Sequence, residues 1–151
     1  MIRVGPEDFD PGRELAALEA DGGEAGALVS FLGTVRVRSE GAPILSLTIE
    51  HYPGMTERAL AAMEREATRR FGLTGSLILH RVGRLKPGAR IVLVGVRAPH
   101  RAAAFEACAF LTDFLKSRAP FWKKEETPGG ARWVGAKASD EAALARWERG
   151  A

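Results

Sequence analysis

Leu115-Lys116-Ser117-Arg118-Ala119-Pro120-Phe121-Trp122-Lys123-Lys124-Glu125 joins the end of one helical pattern to the start of a strand. Pro120 cannot continue a helix, since its ring clashes with the preceding turn and it lacks an N–H. The residue before it is also pushed out of the helical region, so the helix stops near Arg118. Lys116 then occupies the last helical turn. Beyond the break, Phe121, Lys123 and Glu125 share one strand face, and Trp122 and Lys124 the other. A lysine from a helix end and one from a strand start can therefore converge on one anion. Basic residues at a helix end often do no more than complement the dipole, and Phe121 and Trp122 could be plain core. The density of cations argues for more. Lys116, Arg118, Lys123 and Lys124 face only Asp113 and Glu125 nearby, whereas a solvated face usually mixes its signs.

Outward from this stretch, the pattern reads as a single α+β domain spanning residues 1–151, with mixed strands and two principal helices. Upstream, Ala104, Cys108, Leu111 and Leu115 mark the buried face of a helix that opens at Pro99-His100-Arg101. A second long helix is expected over residues 56–70, with Leu60, Met63 and Ala67 on one face. Strands are expected at residues 2–4, 27–35, 44–52, 77–82, 91–96 and 132–134, with the 77–82 and 91–96 strands forming a hairpin. Residues 36–43 read as a polar loop. Asp10-Pro11 has the form of an N-cap followed by proline at the first helical position. Ser139 caps a final helix with Asp140 and Glu141 in its first turn.

The 151 residues can bury a proper core. A net charge of +3 favours an anionic ligand without demanding nucleic acid. The lone cysteine, Cys108, cannot form an internal disulfide, fits a reducing cytosol and reads as core. No membrane-spanning run or secretory signal is visible. His51, His80 and His100 are scattered, so no metal site is expected, and His80, between apolar strand residues, reads as structural. A phosphate-binding P-loop, a dinucleotide fingerprint and a nucleophile elbow are all missing. What remains are three basic sets: Lys116 with Lys123 and Lys124; His100-Arg101 at a helix start; and Arg36 at a strand end. Together they suggest a pocket for a phosphorylated or carboxylated small molecule. A small nucleic-acid module stacking bases on Phe121 and Trp122 is the alternative, weakened by the modest charge and the lack of a long basic stripe.

Six blocks in register make a more specific pattern. They are Phe31-Leu32-Gly33-Thr34-Val35-Arg36, Leu47-Thr48-Ile49-Glu50-His51-Tyr52-Pro53-Gly54-Met55, His80-Arg81-Val82-Gly83, His100-Arg101-Ala102-Ala103-Ala104-Phe105-Glu106-Ala107, the Leu115–Glu125 stretch itself and Arg132-Trp133-Val134. Over residues 27–147 the chain resembles the large, catalytic subunits of molybdopterin synthase. The resemblance implies an α/β hammerhead fold and a cytoplasmic homodimer. It implies a small ubiquitin-like sulfur-carrier subunit bound to each protomer, giving a heterotetramer. The carrier's C-terminal Gly-Gly tail would bring a thiocarboxylate to a pterin phosphate, cyclic pyranopterin monophosphate, with no cofactor. Lys116 and Lys123 would be the catalytic residues, and Phe31 and Arg36 would line the pocket. His100 and Arg101 would come from the neighbouring protomer, as would Lys137, where the family commonly has an arginine. Thr112 stands where a larger apolar pocket residue is expected.

Overall fold

The computed structural model describes residues 1–21, 23–135 and 138–149. In chain order the elements are β1 (Ile2–Gly5), α1 (Pro11–Ala20), β2 (Ala27–Thr34), β3 (Arg38–Ser39), β4 (Ala42–Pro43), β5 (Ser46–His51), α2 (Met55–Phe71), β6 (Gly75–Arg81), β7 (Gly83–Leu85), β8 (Arg90–Ala98), α3 (Arg101–Ser117), β9 (Phe121–Thr127), β10 (Gly130–Val134) and α4 (Ala138–Arg149). The two principal helices are α2 and α3, as the apolar spacing predicts, within the expected α+β class.

One sheet has the order β1-β6-β8-β2, with β1 and β6 parallel and the other neighbours antiparallel. Its central strand β8 is buried from Ile91 to Ala98. A strand covered on both faces loses the apolar–polar alternation of a half-solvated one. The main core, with Ile78, Val94, Leu111 and Phe114, lies between this sheet and α2 and α3. On the opposite face Phe9, Leu18, Leu77, Leu79 and Leu93 pack under α1. Gly95 permits that close approach, since a Cβ there would sit 3.0 Å from Leu18 Cδ2. Asp10 caps α1 by accepting from the Arg13 N–H at 3.1 Å.

The second sheet, β10-β9-β5-β7, is antiparallel throughout. The β6 and β8 strands pair as expected, but they are not a simple hairpin. Gly83, at φ +92°, takes a conformation that L side chains resist and redirects the chain into β7, which pairs with β5 in the other sheet. The expected polar loop at 36–43 also needs correction. Arg38 pairs with Pro43 and Ser39 with Ala42. Glu40 and Gly41 both have positive φ, at 49° and 78°, the backbone of a tight two-residue hairpin turn. Arg132 anchors this hairpin to the second sheet: it donates to Ser39 O at 2.9 Å and pairs with Glu40 at 3.3 Å and Glu125 at 3.1 Å.

The last helix, α4, packs on α3. Trp147 donates its indole N–H to Asp113 at 2.7 Å and meets Phe71 and Phe110 edge-on. The helix begins at Ala138, so Ser139 lies inside its first turn.

Candidate active site

The helix bearing Lys116 ends as the proline predicts. Arg118 is the C-cap, its N–H donating to Phe114 O at 2.8 Å, and the Ala119 N–H reaches the same carbonyl at 3.1 Å. Pro120 follows, and β9 starts at Phe121. The register sets Phe121 opposite His51, Lys123 opposite Ile49 and Glu125 opposite Leu47. Cross-strand partners share a face, so Lys123 is carried on the inward side of the second sheet. Lys116 is exposed at the end of α3 and Lys123 is half-buried.

The electrostatics show what gathers there. The Lys123 amine is lowered from 10.5 to about 8, first by burial, then by the like charge of Lys116 and more weakly by Arg36, with Asp140 opposing. Lys116, Arg36 and Asp140 therefore all lie within electrostatic reach of Lys123. Beside them His80, 3% exposed, is lowered from 6.5 to about 3 by burial and by Lys123, Lys116 and His51. Its ring stacks on Phe121 with centroids 3.8 Å apart and planes 14° from parallel. Among the described residues, His51 Nδ1 and Ser117 Oγ are buried without a hydrogen-bond partner. His51 stacks toward Phe121 at 6.4 Å, and Ser117 follows Lys116.

The three basic sets do not form one pocket within a single chain. Arg36 joins the two lysines. Lys124 lies on the other face of the strand, its Nζ 5.6 Å above the Trp133 ring. His100 is the N-cap of α3 and Arg101 its first residue, both exposed. At 1.5 Å per residue, Arg101 and Lys116 are about 22 Å apart along the helix axis. The separation follows from the helix itself, because one element carries both groups at opposite ends. Phe31 is half-buried on β2, opposite Val94, and packs against the main core upstream of Arg36. Thr112 turns its hydroxyl back to Cys108 O at 2.7 Å. Cys108 is buried and its thiol is pushed up by burial, as expected of core. Lys137 lies outside the described residues.

One group near the lysines was not singled out from the sequence. In the sequence Asp140 stands only as a first-turn residue of α4. Its neighbour Glu141 accepts from Arg118 through both carboxylate oxygens at 3.1 Å, which brings the first turn of α4 over the lysines. No local pattern announces the place of Asp140, since it depends on long-range packing. His80 is buried and hydrogen-bonded, as its structural reading expects. Trp122 faces away from the lysines. With Glu50, His51, Tyr52 and Trp133 it lines an open cavity of about 400 Å³, and Tyr52, Trp122 and Trp133 are 60%, 46% and 59% exposed.

Residues 4–118 match the family model described as MoaE protein. The chain belongs to the MoaE family. It is 54% identical to a Ralstonia nicotianae molybdopterin synthase catalytic subunit over 97% of this chain and 83% of that one. Identity to the Escherichia coli catalytic subunit is 51%, over 97% of both chains. Among solved structures, a MoaE protein from Burkholderia ambifaria superposes with a TM-score of 0.84 at 50% identity, covering 98% of this chain and 97% of that chain. A Staphylococcus aureus molybdopterin synthase gives 0.79 at 31%, covering 88% and 96%. As a MoaE protein the chain serves as a molybdopterin synthase catalytic subunit, a sulfurtransferase of molybdenum cofactor biosynthesis. The architecture is the one expected of that family.

Proposed function

We propose that Lys116 and Lys123 carry the sulfur transfer of this MoaE chain, with Arg36 binding substrate beside them. The observation that carries this is the half-buried Lys123 amine, held at about 8 next to a second lysine and an arginine. An amine in that range still carries its proton at neutral pH and gives it up readily, which suits a proton donor. Lys116, in the last turn of α3, adds a second ammonium that supplies charge and an exchangeable proton.

The chemistry needs both. The substrate is a pterin phosphate, cyclic pyranopterin monophosphate, and its phosphate calls for cations. The sulfur donor is the C-terminal thiocarboxylate of a small ubiquitin-like carrier ending in Gly-Gly. Taking sulfur from an acyl carbon, with water completing the exchange, leaves a carboxylate on the carrier and passes through a tetrahedral oxyanion. Positive charge aimed at that oxyanion lowers the barrier. Glycines in the tail suit a narrow channel, having no side chain to obstruct it.

The active assembly in this reading is a homodimer with one carrier on each protomer, a heterotetramer. His100 and Arg101 stand about 22 Å from Lys116 along α3, so they serve the site of a second copy. Lys137 would reach that site from the same copy. It keeps the charge of the arginine usual in the family but loses the bidentate fork. Residues 1–151 act as one catalytic-subunit domain, working in the cytosol. A free buried thiol at Cys108 suits that reducing compartment.

The test is reconstitution with thiocarboxylated carrier and the pterin phosphate, reading out molybdopterin. Wild type should form product, and Lys116→Ala should be nearly silent while still binding carrier. Product at the wild-type rate from Lys116→Ala would overturn the assignment.

A further inference from the structure

His80 stands where three elements meet. It is the last β6 residue paired to β8, opposite Val92, and it pairs with Val4 of β1. After Arg81, which still pairs with Gly5, the chain leaves the first sheet and enters the second at Gly83. The His80 ring is 3% exposed and lies flat on Phe121, the first residue of β9, at 3.8 Å. Phe121 shares a strand face with Lys123. Nδ1 lies 2.8 Å from Arg81 O. A carbonyl can only accept, so Nδ1 carries the hydrogen and Nε2 is left as a lone-pair nitrogen.

We propose that His80 is a positioning residue for sulfur transfer: its neutral ring, clamped between the Arg81 carbonyl and Phe121, fixes the start of β9 and with it the Lys123 amine. Two features support a role beyond core filling. An apolar side chain would fill a buried strand position more cheaply than an imidazole whose N–H must find a partner. The ring also stays uncharged in the presence of Lys123, Lys116 and His51, where a protonated imidazole would add another cation. The other charges on Lys123 are Arg36, from the segment after β2, and Asp140, from α4. His80 thus supplies a flat, dry, neutral wall beside Lys123 and leaves the titration of that amine to burial and to Lys116.

This inference rests on the Lys116–Lys123 site proposed above, so the test includes a readout that needs no turnover. Lys123 is titrated by NMR of its side-chain amine in the intact protein, in wild type, His80→Phe, His80→Gln and His80→Ala. Phe keeps the stack and the neutrality but gives up the hydrogen bond to Arg81 O; Gln keeps polarity without the ring; Ala opens the wall to water. Lys123 should move part of the way toward the ordinary lysine value in His80→Phe, which loses one side of the clamp, and further in His80→Ala and His80→Gln. Single-turnover sulfur transfer should fall by at least about tenfold in the latter two and stay within about threefold in His80→Phe, the scale on which small misplacements of reacting groups act. Carrier affinity should be constant. If Lys123 titrates alike in all four folded proteins, or if rates follow only the folded fraction, His80 is structural and the proposal fails. If the titration shifts as described while Lys116→Ala remains active, the positioning by His80 stands and the catalytic reading of the lysines falls.

Discussion

Lys116 is the strongest charged neighbour acting on Lys123, and it lowers that amine across the gap between a helix end and a strand. Deleting the Lys116 amine should remove charge stabilisation needed chiefly in the transition state. A single such contact is typically worth about a hundredfold to a thousandfold in rate. Lys116→Ala should lose activity on that scale in a single-turnover assay, with the fold and carrier affinity intact. Lys116→Arg should recover little, because a guanidinium keeps the charge but does not give up a proton.

The same pair sets a pH dependence. With Lys123 acting as a proton donor, activity should decline as pH rises through about 8, the value at which its proton is lost. Lys116→Ala removes the like charge, so the remaining activity should fall off at higher pH than in wild type. Stability follows its own sign. Between about 8 and 10.5 the unfolded chain holds a proton on Lys123 that the folded chain does not, so stability rises with pH there. Denaturant titrations of wild type and Lys123→Met across that window should show the slope only in wild type.

His80 gives the opposite window. Its folded value of about 3 lies below the ordinary 6.5. The unfolded chain binds the proton first on acidification, so this contribution to stability drains away as pH falls from 6.5 to 3. In His80→Phe the dependence of stability on pH over that interval should flatten.

Much of the site was legible because it is local. Pro120 ends α3, and strand alternation separates Lys123 from Lys124 without reference to anything distant. Asp10 and Pro11 marked the start of α1 in the same way. The rest was hidden for physical reasons. The fold of Glu40-Gly41 into a hairpin turn, the redirection at Gly83 and the arrival of Asp140 over the lysines are set by pairing between distant segments. His100 and Arg101 stand apart from the lysines of their own chain because the rise of a helix keeps its two ends apart, which a reading of residue types alone does not reveal.

That separation makes a further test possible. Lys116→Ala and Arg101→Ala proteins, each inactive alone, should regain about a quarter of wild-type activity when mixed and allowed to exchange subunits. Half of the dimers are then hybrids with one intact composite site in two. Light scattering of the pure chain should show a dimer. A mixture that stays inactive although exchange is verified would mean the site is complete within one chain.

Trp147 holds α4 to α3 through Asp113 and the Phe71–Phe110 pair, and Arg70 lies 5.5 Å above its ring. Replacing it by alanine removes a large, partly buried aromatic and should cost about 3 kcal/mol, read as a shift of the denaturant midpoint. Asp113→Asn, which keeps an acceptor for the indole, should cost less.

The three tryptophans also divide the molecule optically. Trp147 is half-buried and hydrogen-bonded, while Trp122 and Trp133 are open to solvent on one sheet face. Emission from the native protein should therefore be a mixture of a shorter- and a longer-wavelength component. Iodide should quench the second preferentially, drawn in by Lys124 beside Trp133. Anything that covers the outer face of the second sheet will shift the long-wavelength component alone, and loosening of α4 will shift only the other. The chain thus carries its own two-channel reporter, able to follow surface encounters and the helix packing separately and without an added label.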